Sequence, residues 1–239
     1  MSQQFPFSHR SPQDRPKKQM SERLSLGLLL ALSGGLMDAY SYLFRGQVFA
    51  NAQTGNILLF SVYLTQGQWQ DALEYLFPIL AFSLGIGAAA IIRHLCRERR
   101  LHWRQICLGL EVVILVLAAP LPQSANLLAN SLISLACGAQ VESFRKIDGS
   151  SVSTTMCIGN LRSALHSLVE VGFTGSRKER HAALVALSII LAFACGAILG
   201  SLLLPHLGPY TLWTSAGLLT LCTIFMLIRP HPPEKGGPS

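Results

Sequence analysis

Residues 24–44 read LSLGLLLALSGGLMDAYSYLF, and residues 48–65 read VFANAQTGNILLFSVYLT. The first run is largely apolar and carries one charged residue, Asp38. It has the length, about 20 residues, at which a helix spans the ~30 Å hydrocarbon core of a bilayer. The second opens with Asn51, Gln53, Thr54, Gly55 and Asn56 and turns apolar only after them. That opening makes 48–65 a poor candidate for an ordinary crossing. Working outward, further apolar runs stand at 72–92, 105–121, 125–144, 182–204 and 209–228. An eighth segment, 152–172, carries Arg162, His166 and Glu170. Each charge at a helix centre costs about 2.5–3.5 kcal/mol, so it too is expected not to cross as an ordinary helix.

Composition excludes most alternatives. Of 239 residues half are apolar and only 13% charged, against roughly a quarter charged in soluble domains, and mean hydropathy is +0.41. So few charges cannot cover a soluble surface. Cys96, Cys107, Cys137, Cys157, Cys195 and Cys222 are scattered singly, so no disulfide framework, zinc site or other cofactor is indicated. No P-loop, dinucleotide fingerprint or hydrolase motif is present, and the chain is not read as an enzyme. Residues 1–23 and 229–239 are polar and are expected to form disordered cytoplasmic tails flanking one transmembrane domain, 24–228.

Basic residues set the topology. The excess of 19 Lys and Arg over 12 Asp and Glu suggests nucleic acid in a soluble protein, but here it reports orientation. If all eight segments cross, basic residues divide almost evenly between the two sides. If 48–65 and 152–172 are re-entrant, all lie at the cytoplasm except Arg45, with Arg162 on a cytoplasm-facing re-entrant segment. The positive-inside rule selects six crossings, two re-entrant segments and cytoplasmic termini.

The sequence also repeats. At an offset of 104, Gly34 meets Gly138, Asp38 meets Glu142, Asn51 meets Thr155, and Gly55-Asn56 meets Gly159-Asn160. At an offset of 111, Leu80-Ala81-Phe82-x-x-Gly85 meets Leu191-Ala192-Phe193-x-x-Gly196. The expected repeats are 24–121 and 125–228. Three crossings per half make the second half inverted relative to the first, an architecture of secondary transporters whose broken segments meet near the midplane.

The candidate site follows. Non-helical backbone at membrane depth survives only inside protein or along a wet cavity, so Thr54-Gly55-Asn56 and Ile158-Gly159-Asn160 are expected to line one. Asn51, Thr54, Ser153, Thr154 and Thr155 are suited to cap the short helices that follow. Two helix N-termini would then point inward at an anion or polar solute. The competing reading is that the asparagines only hold the turns together. Asp38 and Glu142 are intramembrane carboxylates, by default markers of ion or proton paths, although Glu142 has Arg145 and Lys146 beside it as ion-pair partners. Arg162, His166 and Glu170 share a helix face; Arg162 is an anion ligand or a partner of Glu142. Glu111 is a weaker candidate. The binding set is therefore Asp38, Asn51, Thr54, Gly55, Asn56, Glu142, Thr155, Gly159, Asn160 and Arg162, with no catalytic or metal residue. Gly85, Gly87 and Gly196-x-x-x-Gly200 suit tight packing inside the bundle, with homodimerisation through these small faces as the alternative.

The strings Gly35-Leu36-Met37-Asp38-Ala39-Tyr40 and Ala50-Asn51-Ala52-Gln53-Thr54-Gly55-Asn56, followed by Gly159-Asn160, resemble the YoaK-like family of bacterial membrane proteins, a domain-of-unknown-function family. The resemblance covers roughly 20–228 and implies a polytopic helical fold in the bacterial inner membrane. It supplies no substrate. The residues themselves suggest a small transporter or channel for a polar solute or ion, with the lipid bilayer as its surroundings and Asp38 coupling protons or cations. Rival readings are a scaffold or regulatory subunit and a lipid-modifying enzyme.

Overall fold

Every apolar run of the sequence becomes a helix. The computed structural model describes residues 24–96, 103–148, 150 and 152–228, and both expected tails lie outside them. The α-helices are α1 (Leu24–Phe44), α2 (Gln53–Thr65), α3 (Trp69–Leu95), α4 (Trp103–Ala118), α5 (Asn126–Ser143), α6 (Cys157–Thr174), α7 (Arg177–Leu207) and α8 (Thr211–Ile228). Among the described residues the only β-type pairing is a lone bridge between Ile147 and Ser150. Three stretches are long and apolar enough to cross a membrane: α1, α3 and the run Arg177–Leu227.

The bundle has an apolar exterior and a mainly apolar core that also holds polar side chains. On α3, Leu73, Phe77, Leu80, Leu84 and Ile91 are exposed; on α7, Leu184, Leu191, Ile198 and Leu202 are. Meanwhile Ser33, Ser41, Asn130, Ser134 and Gln140 are buried. A water-soluble protein keeps its large aliphatic residues mostly inside; this chain buries Leu30, Leu108, Leu115 and Ile133 but also turns long aliphatic rows outward, as a protein solvated by lipid can. It is an integral membrane protein.

Glycine sets the closest helix contacts. A Cβ on Gly35 would stand 1.9 Å from the Phe193 carbonyl oxygen, and one on Gly196 1.9 Å from that of Leu32. These seat α1 on α7. A Cβ on Gly85 would stand 2.0 Å from the Leu135 oxygen, and one on Gly138 2.1 Å from that of Phe82, which seats α3 on α5. Gly200 also faces Leu36, so the Gly196-x-x-x-Gly200 motif is spent inside the chain, while Gly87 faces open space. The packing partners form matched sets: α1 with α7 and α5 with α3, α2 with α3 and α6 with α7, α1 with α8 and α5 with α4.

Two connections fix how the ends sit. Gly175, at φ 63°, ends α6 in the left-handed conformation that glycine adopts without steric cost. Ser176 then caps α7 by accepting the N–H of Glu179 at 3.4 Å. At the other end of the bundle, Arg45 is fully buried. Its guanidinium donates to the carbonyls of Leu121 at 2.8 Å, Ala119 at 3.0 Å, Pro122 at 3.3 Å and Ala118 at 3.4 Å. It also donates to Tyr40 Oη at 2.9 Å and Asn126 Oδ1 at 3.3 Å. These carbonyls close α4, where the helix leaves acceptors unsatisfied and its dipole favours a cation.

Candidate functional site

The helices α2, of 13 residues, and α6, of 18, each follow an extended stretch that lacks helical hydrogen bonds. In both, one asparagine supplies them. Asn56 Oδ1 accepts the N–H of Phe49 at 3.0 Å, while its Nδ2 donates to the Phe49 carbonyl at 2.7 Å. Asn160 Oδ1 accepts the N–H of Ser153 at 3.0 Å, and its Nδ2 donates to the Ser153 carbonyl at 2.6 Å. A carboxamide carries an acceptor and a donor side by side, the arrangement needed to pair both backbone groups of one residue. The rest of the first segment is satisfied in kind. Ser41 Oγ accepts the N–H of Ala50 at 3.1 Å, and Asp38 Oδ1 accepts that of Asn51 at 2.7 Å. In the second segment, the N–H of Thr155 has a 3.5 Å bond to Ser153 Oγ.

The expected capping does not form. The N-cap positions are Ala52 for α2 and Met156 for α6, and neither helix has a side-chain cap. Two of the polar side chains are engaged elsewhere: Asn51 Nδ2 donates to the Gly34 carbonyl at 3.1 Å, and Thr154 Oγ1 accepts from Gln140 Nε2 at 3.2 Å.

A cleft of about 1300 Å³ opens between the two broken segments, α1 and α7. Asp38, Asn51, Thr54, Thr155, Gly159, Asn160 and Arg162 line it, together with Arg145, His166 and the apolar Tyr42, Phe49, Val141, Met156 and Phe193. Arg162 and His166 are exposed along it. The structure thus gathers seven of the ten expected residues. Three do not line the cleft. Gly55 packs under the Phe49 ring, 2.8 Å from where its Cβ would stand. Asn56 is fully buried, and with both carboxamides committed to backbone the two asparagines hold the turns together. Glu142 instead pairs with Arg93 at 3.1 Å and Arg145 at 3.8 Å.

The packing explains Glu142. Gly138 stands to Phe82 as Gly35 stands to Phe193, and Leu135 to Gly85 as Leu32 to Gly196. That sets α5 against α1 at an offset of 103, whereas the asparagine clamps keep 104. One extra residue in the second loop absorbs the difference. The spatial counterpart of Asp38 is therefore Val141, which does line the cleft.

Sequence reasoning missed Arg145 as a lining residue, and it missed two unpaired atoms. Asn51 Oδ1 and Thr155 Oγ1 are buried without a hydrogen-bond partner, although both residues line the cleft. Glu111 is buried in α4 away from the cleft, with neither carboxylate oxygen partnered.

Comparison with known proteins agrees with the membrane character of the chain. The chain is 28% identical over 207 residues to the "UPF0700 transmembrane protein YoaK" of Bacillus subtilis (strain 168), covering 82% of this chain and 91% of that protein. No solved structure matches. Residues 26–225, which run from α1 into α8, match the family described as "Protein of unknown function (DUF1275)", and the chain belongs to that family.

Proposed function

We propose that the protein is a small-solute transporter of the bacterial inner membrane, built as two inverted repeats with six crossings, two re-entrant segments and cytoplasmic termini. The observation that carries this reading is the matched pair of asparagine-clamped segments bordering one cleft, whose mainly apolar lining carries Asp38, Asn51, Thr155, Arg145 and Arg162. The matched helix pairings support it, since exchanging α1–α4 for α5–α8 returns the same set of partners. Broken segments from two repeats that meet at a cavity are where secondary transporters bind substrate and coupling ion. In this reading Asn56 and Asn160 build the wall, and the solute meets Asp38, Asn51 and Thr155 at the buried end and Arg162, Arg145 and His166 toward the exposed side. The cytoplasmic-facing mouth follows from the basic residues of that side, which the positive-inside rule assigns to the cytoplasm.

The test is solute uptake into proteoliposomes, screened over amino acids, organic acids, nucleosides and inorganic ions. At least one solute is expected to enter faster than into protein-free vesicles, with uptake reduced tenfold or more by Asp38→Asn. Uptake no faster than protein-free vesicles across the panel, or unchanged by Asp38→Asn, overturns the reading.

A further inference from the structure

We propose that the buried end of the cleft binds one monovalent metal cation of sodium size through the side-chain oxygens of Asp38, Asn51 and Thr155. The proposal rests on the transport reading and names its coupling ion.

The three side chains are brought to one turn of α1, Gly34 to Asp38. Asp38 Oδ1 accepts the backbone N–H of Asn51 at 2.7 Å. Asn51 Nδ2 donates to the carbonyl of Gly34 at 3.1 Å, one helical turn from Asp38, about 6 Å along the axis. The Thr155 methyl lies 2.8 Å from where a Gly34 Cβ would stand. Asn51, Thr155 and Asp38 are 2%, 4% and 8% exposed. Asn51 Oδ1 and Thr155 Oγ1 nevertheless have no hydrogen-bond partner. The Asn51 amide cannot be turned to relieve this, because its oxygen would then face the Gly34 carbonyl, acceptor against acceptor.

A carboxylate, a carboxamide oxygen and a hydroxyl are hard ligands of the kind that hold alkali and alkaline-earth cations. With one formal negative charge the set suits a monovalent ion. Divalent sites recruit more carboxylates, and among the described residues no group of three or more His, Cys, Asp or Glu is placed to hold a metal. A proton on Asp38 makes one O–H donor, which can serve one of the two unpartnered oxygens and leaves the other without it. One cation serves all three. Because the counterpart of Asp38 is Val141, which offers no oxygen, the chain has one such site and not two.

The site also suggests how binding is felt. Asn51 and Thr155 occupy matched places in the two broken segments, so a cation between them ties the segments to each other across α1. A ligand that contacts both segments in one arrangement and not in another shifts the balance between arrangements.

The test is thermal unfolding of the purified protein in detergent, in NaCl, KCl and choline chloride at equal ionic strength. Sodium is expected to raise Tm saturably above the value in choline, with a smaller rise in potassium. Asp38→Asn, which still accepts the Asn51 N–H, is expected to abolish the sodium rise. Thr155→Val, which keeps the methyl against Gly34, is expected to weaken apparent sodium affinity at least tenfold. Equal Tm in all three salts for the folded wild type overturns the proposal, as does a sodium rise that survives in both variants. Solute uptake driven by a proton gradient with no sodium effect on Tm overturns the cation site and leaves the transport reading. A saturable sodium rise with no uptake of any solute does the converse.

Discussion

Asn56 grips Phe49 by both of its backbone polar groups, accepting its N–H at 3.0 Å and donating to its carbonyl at 2.7 Å. Seven residues separate them, as seven separate Asn160 from Ser153 in the other half. In lipid an unmade backbone hydrogen bond has no water to fall back on, so each clamp is a condition for the extended segment it holds.

Asn56→Asp and Asn160→Asp are expected to keep the accepting oxygen and lose the donor, leaving the Phe49 or Ser153 carbonyl unpaired. The cost of a buried acceptor left without its donor is about 1–3 kcal/mol. Thermal unfolding in detergent should show comparable losses for the two variants. A loss at one position and none at the other would contradict their matched roles.

The glycine contacts give a sharper contrast. A methyl on Gly35 or Gly85 would fall within about 2 Å of a backbone oxygen of the facing helix, so Gly35→Ala and Gly85→Ala should each destabilise by about 1–3 kcal/mol, as overpacking does. Gly87 and Gly217 face open space. Gly87→Ala and Gly217→Ala should therefore leave Tm unchanged or raise it, since alanine is the better helix former.

Arg45 tests whether a buried cation serves structure alone. Its donors reach four carbonyl oxygens near the end of α4, and no carboxylate partner is among its hydrogen bonds. Lysine has three donors on a single nitrogen and cannot reproduce the planar fork. Arg45→Lys should lower stability by about 1.5–3 kcal/mol for each charged hydrogen bond lost, and Arg45→Ala by more, both read as Tm in detergent.

Glu111 carries the opposite sign. Both its carboxylate oxygens are buried and unpartnered, and a polar group desolvated without a hydrogen bond costs free energy. Glu111→Leu should raise Tm. If it lowers Tm, or abolishes uptake in the folded protein, Glu111 has a partner or task that its surroundings in α4 do not reveal.

The helices were legible because their signal is composition over about 20 residues. The expected runs 24–44, 125–144 and 209–228 meet α1, α5 and α8 within two residues at each end. The charged segment 152–172 also showed itself as unusual, and seven of the ten chosen residues do line one cleft. What the chain could not show is where each polar side chain spends its hydrogen bonds. Asn51 has the composition of a helix cap, yet it bonds to Gly34 across the bundle, a choice made by tertiary contact. Glu142 aligns with Asp38 on Gly-Asn spacing, but the helices register one residue differently, and a single residue on a helix turns a side chain by roughly 100°. That rotation separates a cleft carboxylate from one paired with Arg93.

The inverted arrangement is tested most directly by which side of the membrane the two short connections face. Gln68, between α2 and α3, and Lys178, in the first turn of α7, are both exposed. Gln68→Cys and Lys178→Cys, each placed in a chain whose own cysteines are replaced by alanine, are treated in intact cells with a membrane-impermeant maleimide. The account predicts that Gln68→Cys is labelled from outside and Lys178→Cys only after the cells are permeabilised. Labelling of both from the same side would contradict the two inverted repeats.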